Sequence, residues 1–135
     1  MTEKQGEKHR NMRLRGQIGE NAAAEFLMQR GFSVLTRNYT VRGGEIDIIA
    51  ENETHLVFVE VKSRLSERHI DRFGRPAAAV TYEKQRHLIT AARAYLVQYP
   101  SDKIKRFDVA EVYLTDTAMP AVQSLNYIKS AFVVS

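Results

Sequence analysis

The stretch GGEIDIIAENETHLVFVEVKSR, residues 43–64, decides the fold. Two runs rich in Ile and Val flank a polar turn, the pattern of a β-hairpin whose strands are covered on both faces. Yet Glu45, Asp47, Glu60 and Lys62 stand inside those strands, where a plain core would carry Val or Ile. Side chains alternate along a strand, so Ile46, Ile48 and Ala50 are expected on one face and Glu45, Asp47 and Ile49 on the other. The next strand sets Val57, Val59 and Val61 against Leu56, Phe58, Glu60 and Lys62. With Asn52 and Glu53 as a two-residue turn, Asp47 faces Phe58 and lies diagonally beside Glu60.

Outward from this hairpin, GQIGENAAAEFLMQR (residues 16–30) is rich in helix formers and stops at Gly31. FSVLTRNY then predicts a first strand, closed by the turn VRGG. Residues 65–75, ending in FGRP, read as a loop. A helix is predicted near Thr81 to Tyr99, with Leu88, Ile89, Ala92, Tyr95, Leu96 and Tyr99 on one stripe that Gln85 begins. KRFDVAEVYL predicts a fourth strand, TDTAMPAVQS a loop and NYIKSAFVV a last strand. Residues 1–14 are polar, basic and without period, and predict a mobile arm ahead of a single α/β domain over residues 15–135.

Zero cysteines among 135 residues exclude disulfides, thiolate zinc sites and cysteine nucleophiles. His9, His55, His69 and His87 fall in no metal-ligand spacing, which leaves carboxylates and a hard cation. No apolar run approaches the roughly 18 residues of a membrane span, and no apolar segment follows the charged start, so a cytoplasmic protein without membrane contact is expected. The net charge is +4. Basic residues cluster in the leader (Lys4, Lys8, Arg10, Arg13, Arg15), after the second hairpin strand (Arg64, Arg68, Arg72, Arg75) and ahead of the fourth strand (Lys103, Lys105, Arg106). Such clusters suit a polyanion, and equally fit a solvated surface.

A third carboxylate comes from the first helix. Asn21, Glu25 and Gln29 mark its polar side, whereas Glu20 falls in line with Ala23, Ala24 and Leu27 and is expected to face inward. Three inward carboxylates repel one another unless a proton or a cation lies between them. Oxygen ligands around an open position suit Mg²⁺ or Mn²⁺, and such a site could hydrolyse a phosphodiester. Asp47 and Glu60 would hold the metal, Glu20 would join directly or through a water, and Lys62 would orient or help deprotonate the attacking water. A Glu60–Lys62 salt bridge at a solvated sheet end is the plainer alternative.

Glu20 on an opening helix, Asp47 in GEIDIIA, and Glu60 with Lys62 in VFVEVKSR together resemble the PD-(D/E)XK nuclease superfamily, in particular the archaeal Holliday junction resolvases. More specifically, GQIGENAAAEFL, GFSVLTRNY, GGEIDIIA, LVFVEVKSR, FGRPAAAVTYEKQRHL and RFDVAEV look like the YraN family of small bacterial proteins, over about residues 15–114. The resemblance implies a restriction-endonuclease-like α/β core, with a mixed sheet of about five strands flanked by helices. It also implies a divalent metal, and DNA as the substrate class. By position, Asp47, Glu60 and Lys62 match the superfamily's catalytic set and Glu20 its helix carboxylate. Ile46 stands where the motif has its proline. Lys84 and Gln85 begin the second long helix, where some relatives aim such a side chain at the site, although Gln85 also reads as a core-edge residue. Asp108 fits a structural hydrogen-bond acceptor.

Arg64, Arg68, Arg72 and Arg75 follow the strand of Glu60 and would reach phosphates. Nothing in the sequence suggests base readout, so structure-selective binding of branched, flapped or junction DNA in recombination or repair is expected, with DNA and RNA not separated. Paired cuts on a two-fold junction would need a homodimer. The alternative is a non-catalytic DNA-binding adaptor on a nuclease fold, serving a larger recombination or repair machinery.

Overall fold

The computed structural model describes residues 3–65 and 80–132. Its elements run α1 (Glu3–Gln29), β1 (Ser33–Val41), β2 (Gly44–Glu51), β3 (His55–Leu65), α2 (Tyr82–Gln98), β4 (Ile104–Leu114) and β5 (Val122–Phe132). The expected α/β class is present: a mixed five-stranded sheet flanked by two helices. The strands stand in chain order, all neighbours antiparallel except β3 and β4, which are parallel and joined through the chain segment that carries α2.

Each helix covers one face. Ala23, Ala24 and Leu27 of α1 pack on Ile48, Ala50, Val57, Val59 and Ala110. Leu88, Ala91, Ala92 and Tyr95 of α2 pack on Ile46, Ile49, Leu56 and Phe58. Thr81 caps α2, its hydroxyl accepting from the Lys84 N–H. Gly43 turns between β1 and β2 at φ +86°, and Gly44 lets α2 lie on the sheet, since a Cβ there would come within 2.2 Å of the His87 carbonyl oxygen.

Three expectations are corrected. The first helix does not begin near Gly16 but at Glu3, so the segment read as an arm is helical over its described length. Its residues are good helix formers, and lack of amphipathic period removes burial without removing propensity. The β2–β3 turn also lies later than expected. Asn52 Oδ1 accepts from the backbone N–H groups of Thr54 and His55, and the Asn52 N–H donates to the His55 carbonyl, so Glu53 and Thr54 form the turn. Glu51 therefore pairs with Leu56 and Ile49 with Phe58, a register that carries Asp47 opposite Glu60 rather than Phe58.

The third correction concerns alternation. Ile46 and Ile48 were expected on one face, but Ile46 lies in the α2 core and Ile48 in the α1 core. The break falls at Asp47. Its register neighbour across β1, Asn38, has φ +53°, and the β2–β3 ladder ends at Ile48–Val59 while both strands continue. The two strands part there, and the fork is where the charges stand.

Candidate functional site

Asp47 sits in the fork between β2 and β3. Its Oδ2 accepts the Val61 backbone N–H at 2.7 Å, supplying an acceptor to a donor left without a ladder partner. The Asp47 carboxyl is pushed up to about 6, chiefly by burial and further by the charges of Glu60 and Glu20, against the opposing effects of the Val61 N–H and Lys84. Both expected carboxylates thus act on Asp47.

Glu60, on the α2 side, is buried, and burial likewise raises its pKa. Its Oε1 lies 3.4 Å from Lys84 Nζ, which is also 3.8 Å from Glu45. Its Oε2 is buried with no hydrogen-bond partner among the described residues. Lys62 follows on the same face. Burial lowers its pKa, as does the Arg64 charge, with Glu60 and Glu111 opposing.

Glu20 faces inward on α1 as its helical phase requires, and lines a cleft of about 420 Å³ together with Asp47, Val61, Ser63, Met12 and Arg15. Its carboxylate is engaged: Oε1 accepts from Arg37 Nε at 2.8 Å and from Asn38 Nδ2 at 3.0 Å. Among the described residues, no three carboxylate or imidazole side chains are gathered as a metal-ion cage. The expected trio is therefore not gathered at one point: Asp47 lines the cleft with Glu20, which β1 holds, while Glu60, whose charge also raises the Asp47 pKa, faces Lys84 of α2. Asp47 and Glu60 suit a hard divalent ion, since Glu60 keeps a buried oxygen that no described residue satisfies.

Of the expected DNA-contacting residues, Arg64 is exposed near the end of β3, while Arg68, Arg72 and Arg75 lie outside the described residues. Lys84 reaches Glu60, whereas the Gln85 amide donates to the Val80 carbonyl at 2.9 Å beside the start of α2. Asp108 is a structural acceptor, taking a bidentate pair from Arg106, the Tyr127 hydroxyl and the Ser130 N–H.

Two residues were missed. Arg15 walls the cleft beside Asp47, its Nε buried without a partner and its Nη2 3.5 Å from Asp116. A helix drawn from residue 3 places Arg15 one turn before Gly19 and Glu20; a helix started at Gly16 hides it. Glu111 is buried on β4 as the register partner of Lys62 and accepts from Asn126 at 3.0 Å. The alternation of KRFDVAEVYL, which puts Glu111 on the face of Val109 and Tyr113, was the available signal.

Fold and cleft define an α/β protein with buried and part-buried carboxylates at a strand fork. The chain belongs to UPF0102, an uncharacterised protein family whose profile matches residues 19–112. The likeness to small bacterial proteins noted from the sequence is thereby borne out at family level. The UPF0102 protein of Caldicellulosiruptor saccharolyticus is 44% identical over 124 residues, covering 90% of this chain and 99% of that protein. That of Caldicellulosiruptor bescii is 40% identical with the same coverage. The UPF0102 protein STH1475 of Symbiobacterium thermophilum is 48% identical over 98 residues, 72% of this chain and 80% of its own. Among the described residues no helix is long and apolar enough to cross a membrane.

Proposed function

We propose that the protein is a metal-dependent endonuclease that hydrolyses DNA phosphodiester bonds, of the PD-(D/E)XK type and similar to Holliday junction resolvases. One observation carries this: Asp47 and Glu60 are part-buried or buried carboxylates with raised proton affinity, and Glu60 Oε2 has no hydrogen-bond partner among the described residues. Groups that bind a proton more tightly than in water also gain from a cation, because either neutralises charge that burial disfavours.

Asp47 and Glu60 would hold Mg²⁺ or Mn²⁺. A bound ion supplies Lewis-acid activation of the phosphate and of water. The Val61 N–H fixes the Asp47 carboxylate, leaving Oδ1 for the site. Lys62 Nζ, its pKa lowered by burial, orients the attacking water and exchanges a proton with it. Glu20, held by Arg37 and Asn38, adds negative charge at the cleft wall and accepts from water there. Arg64 and Lys84 contact backbone phosphates, joined by Arg68, Arg72 and Arg75, while Gln85 steadies the start of α2. Two copies would deliver paired cuts on a two-fold junction.

The adaptor reading draws on a different observation: Lys84 and Arg37 already neutralise part of Glu60 and Glu20. The test compares cleavage of labelled linear, flapped and four-way-junction DNA in Mg²⁺ or Mn²⁺ by wild type, Asp47→Asn and Lys62→Ala. Loss of cutting in both variants, with junction or flap preferred, is expected. Binding without cutting by the wild type moves the assignment to an adaptor, and equal cutting by all three overturns the site.

A further inference from the structure

A cavity of about 560 Å³ lies away from the carboxylates. It opens at the other end of α1, between the helix C-terminus, the β2–β3 turn and β4–β5. Arg30, Arg106, Lys129 and His55 line it together with Phe26 and Tyr127, and no Asp or Glu does. By helix rise and strand rise it lies roughly 15–20 Å from the carboxylate cleft, on the same side of the sheet.

Two of its cations are held in place. The Arg30 guanidinium lies over the Phe26 ring at 4.4 Å from its centroid, and Phe26 stacks in turn on Tyr127 at 5.1 Å. Both faces of Phe26 are thus taken, so the stack serves to orient Arg30 rather than to receive a base. Asp108 takes Nε and Nη2 of Arg106, which fixes the plane of that guanidinium. Asp108 also offsets the Arg106 charge, which leaves the net positive balance to Arg30 and Lys129, both exposed. The C-terminal end of α1 opposes an anion weakly, but the Phe26, Leu27 and Met28 carbonyls already accept from Arg30, Phe32 and Gly31.

Oriented guanidinium groups, an exposed lysine and a pocket of small-molecule volume fit a phosphate carried on a compact organic group. We propose that this cavity is a phosphate site of nucleotide size, occupied by a phosphorylated nucleotide of the nucleic acid whose backbone the carboxylate cleft attacks. The nucleic-acid half of this statement rests on the proposed nuclease function; the phosphate half does not.

The test is calorimetric titration with a chelator present, so that the carboxylate cleft holds no divalent ion. Deoxyadenosine 5′-monophosphate, inorganic phosphate and deoxyadenosine serve as probes, against wild type, Arg30→Gln/Lys129→Gln and Asp47→Asn. The monophosphate is expected to saturate with a Kd at or below about 1 mM, to weaken about tenfold in the double variant and to be unchanged in Asp47→Asn. Tighter binding of the monophosphate than of phosphate assigns a nucleotide, and equal binding assigns free phosphate and overturns the nucleotide. Deoxyadenosine binding as tightly as its monophosphate, no saturation by any probe, or binding indifferent to the double variant overturns the site. Absence of DNA cleavage touches none of these readouts.

Discussion

Asp47 Oδ2 accepts the Val61 backbone N–H at 2.7 Å, across the point where the β2–β3 ladder stops. A carboxylate in that position serves the fold as an acceptor and burdens it as a charge. Substituting Asp47→Asn separates the two, because an amide oxygen still accepts.

The first prediction follows. Folding raises the Asp47 pKa from 3.8 to about 6, so the folded state binds more protons between those values. Metal-free wild type is then expected to lose stability as pH rises through that window, by at most about 3 kcal/mol from this group. Asp47→Asn removes the loss, so it is more stable than wild type at pH 7.5 and about equal below pH 3.8. Urea denaturation at both pH values in chelator checks this; a less stable variant at pH 7.5 refutes it.

Lys84 lies 3.4 Å from Glu60 Oε1 and neutralises part of the carboxylate whose Oε2 a divalent ion would take. Lys84→Ala is expected to tighten Mn²⁺ binding roughly fivefold, the equivalent of about 1 kcal/mol for a part-exposed pair. Mn²⁺ titration followed by electron paramagnetic resonance reads it, and weaker binding would mean that Lys84 does not act against the cation.

Arg15 stands in the cleft wall beside Asp47. Arg15→Gln should weaken binding to any DNA sequence alike and reduce the magnitude of the slope of log K against log salt by about 1. Anisotropy titrations at several salt concentrations provide that slope. An unchanged slope removes Arg15 from the phosphate contacts.

Two glycines of α1 give a paired prediction. Gly16 has no neighbour within 4 Å of an added Cβ, whereas at Gly19 the Cβ would stand 2.0 Å from Ser63 Oγ. Gly16→Ala should stabilise by about 1 kcal/mol through helix propensity. Gly19→Ala should fall short of that gain, because Ser63 must turn away from the Arg15 carbonyl it donates to. Adding Ser63→Gly should restore the difference in a double-mutant cycle.

Asp108 carries a structural load of another kind. Its removal strands the Arg106 charge, the Tyr127 hydroxyl and the Ser130 N–H. Asp108→Ala is expected to cost about 3–5 kcal/mol and to lower hydrogen-exchange protection first in β5.

The hairpin, both helices and the identities of the carboxylates were legible because periodicity and turn chemistry are local. The register was not, because the Asn52 side chain chose which residues turn, and a shift of two preserves every face while changing every partner. Nor could alternation reveal the crossing of Ile46 to the α2 side, which depends on a left-handed residue in the neighbouring strand. The inward phase of Glu20 was readable, but its engagement by Arg37 joins groups 17 residues apart that no helical pattern links.

A sheet whose strands stand in chain order has one long-range closure, the parallel junction of β3 with β4. The residues lining the cleft of Glu20 and Asp47 all belong to α1, β2 and β3, ahead of β4 in the chain. During vectorial synthesis the acidic cleft can therefore take shape while the ribosome is still making the other half. Glu111, the buried acid opposite Lys62, follows only with β4.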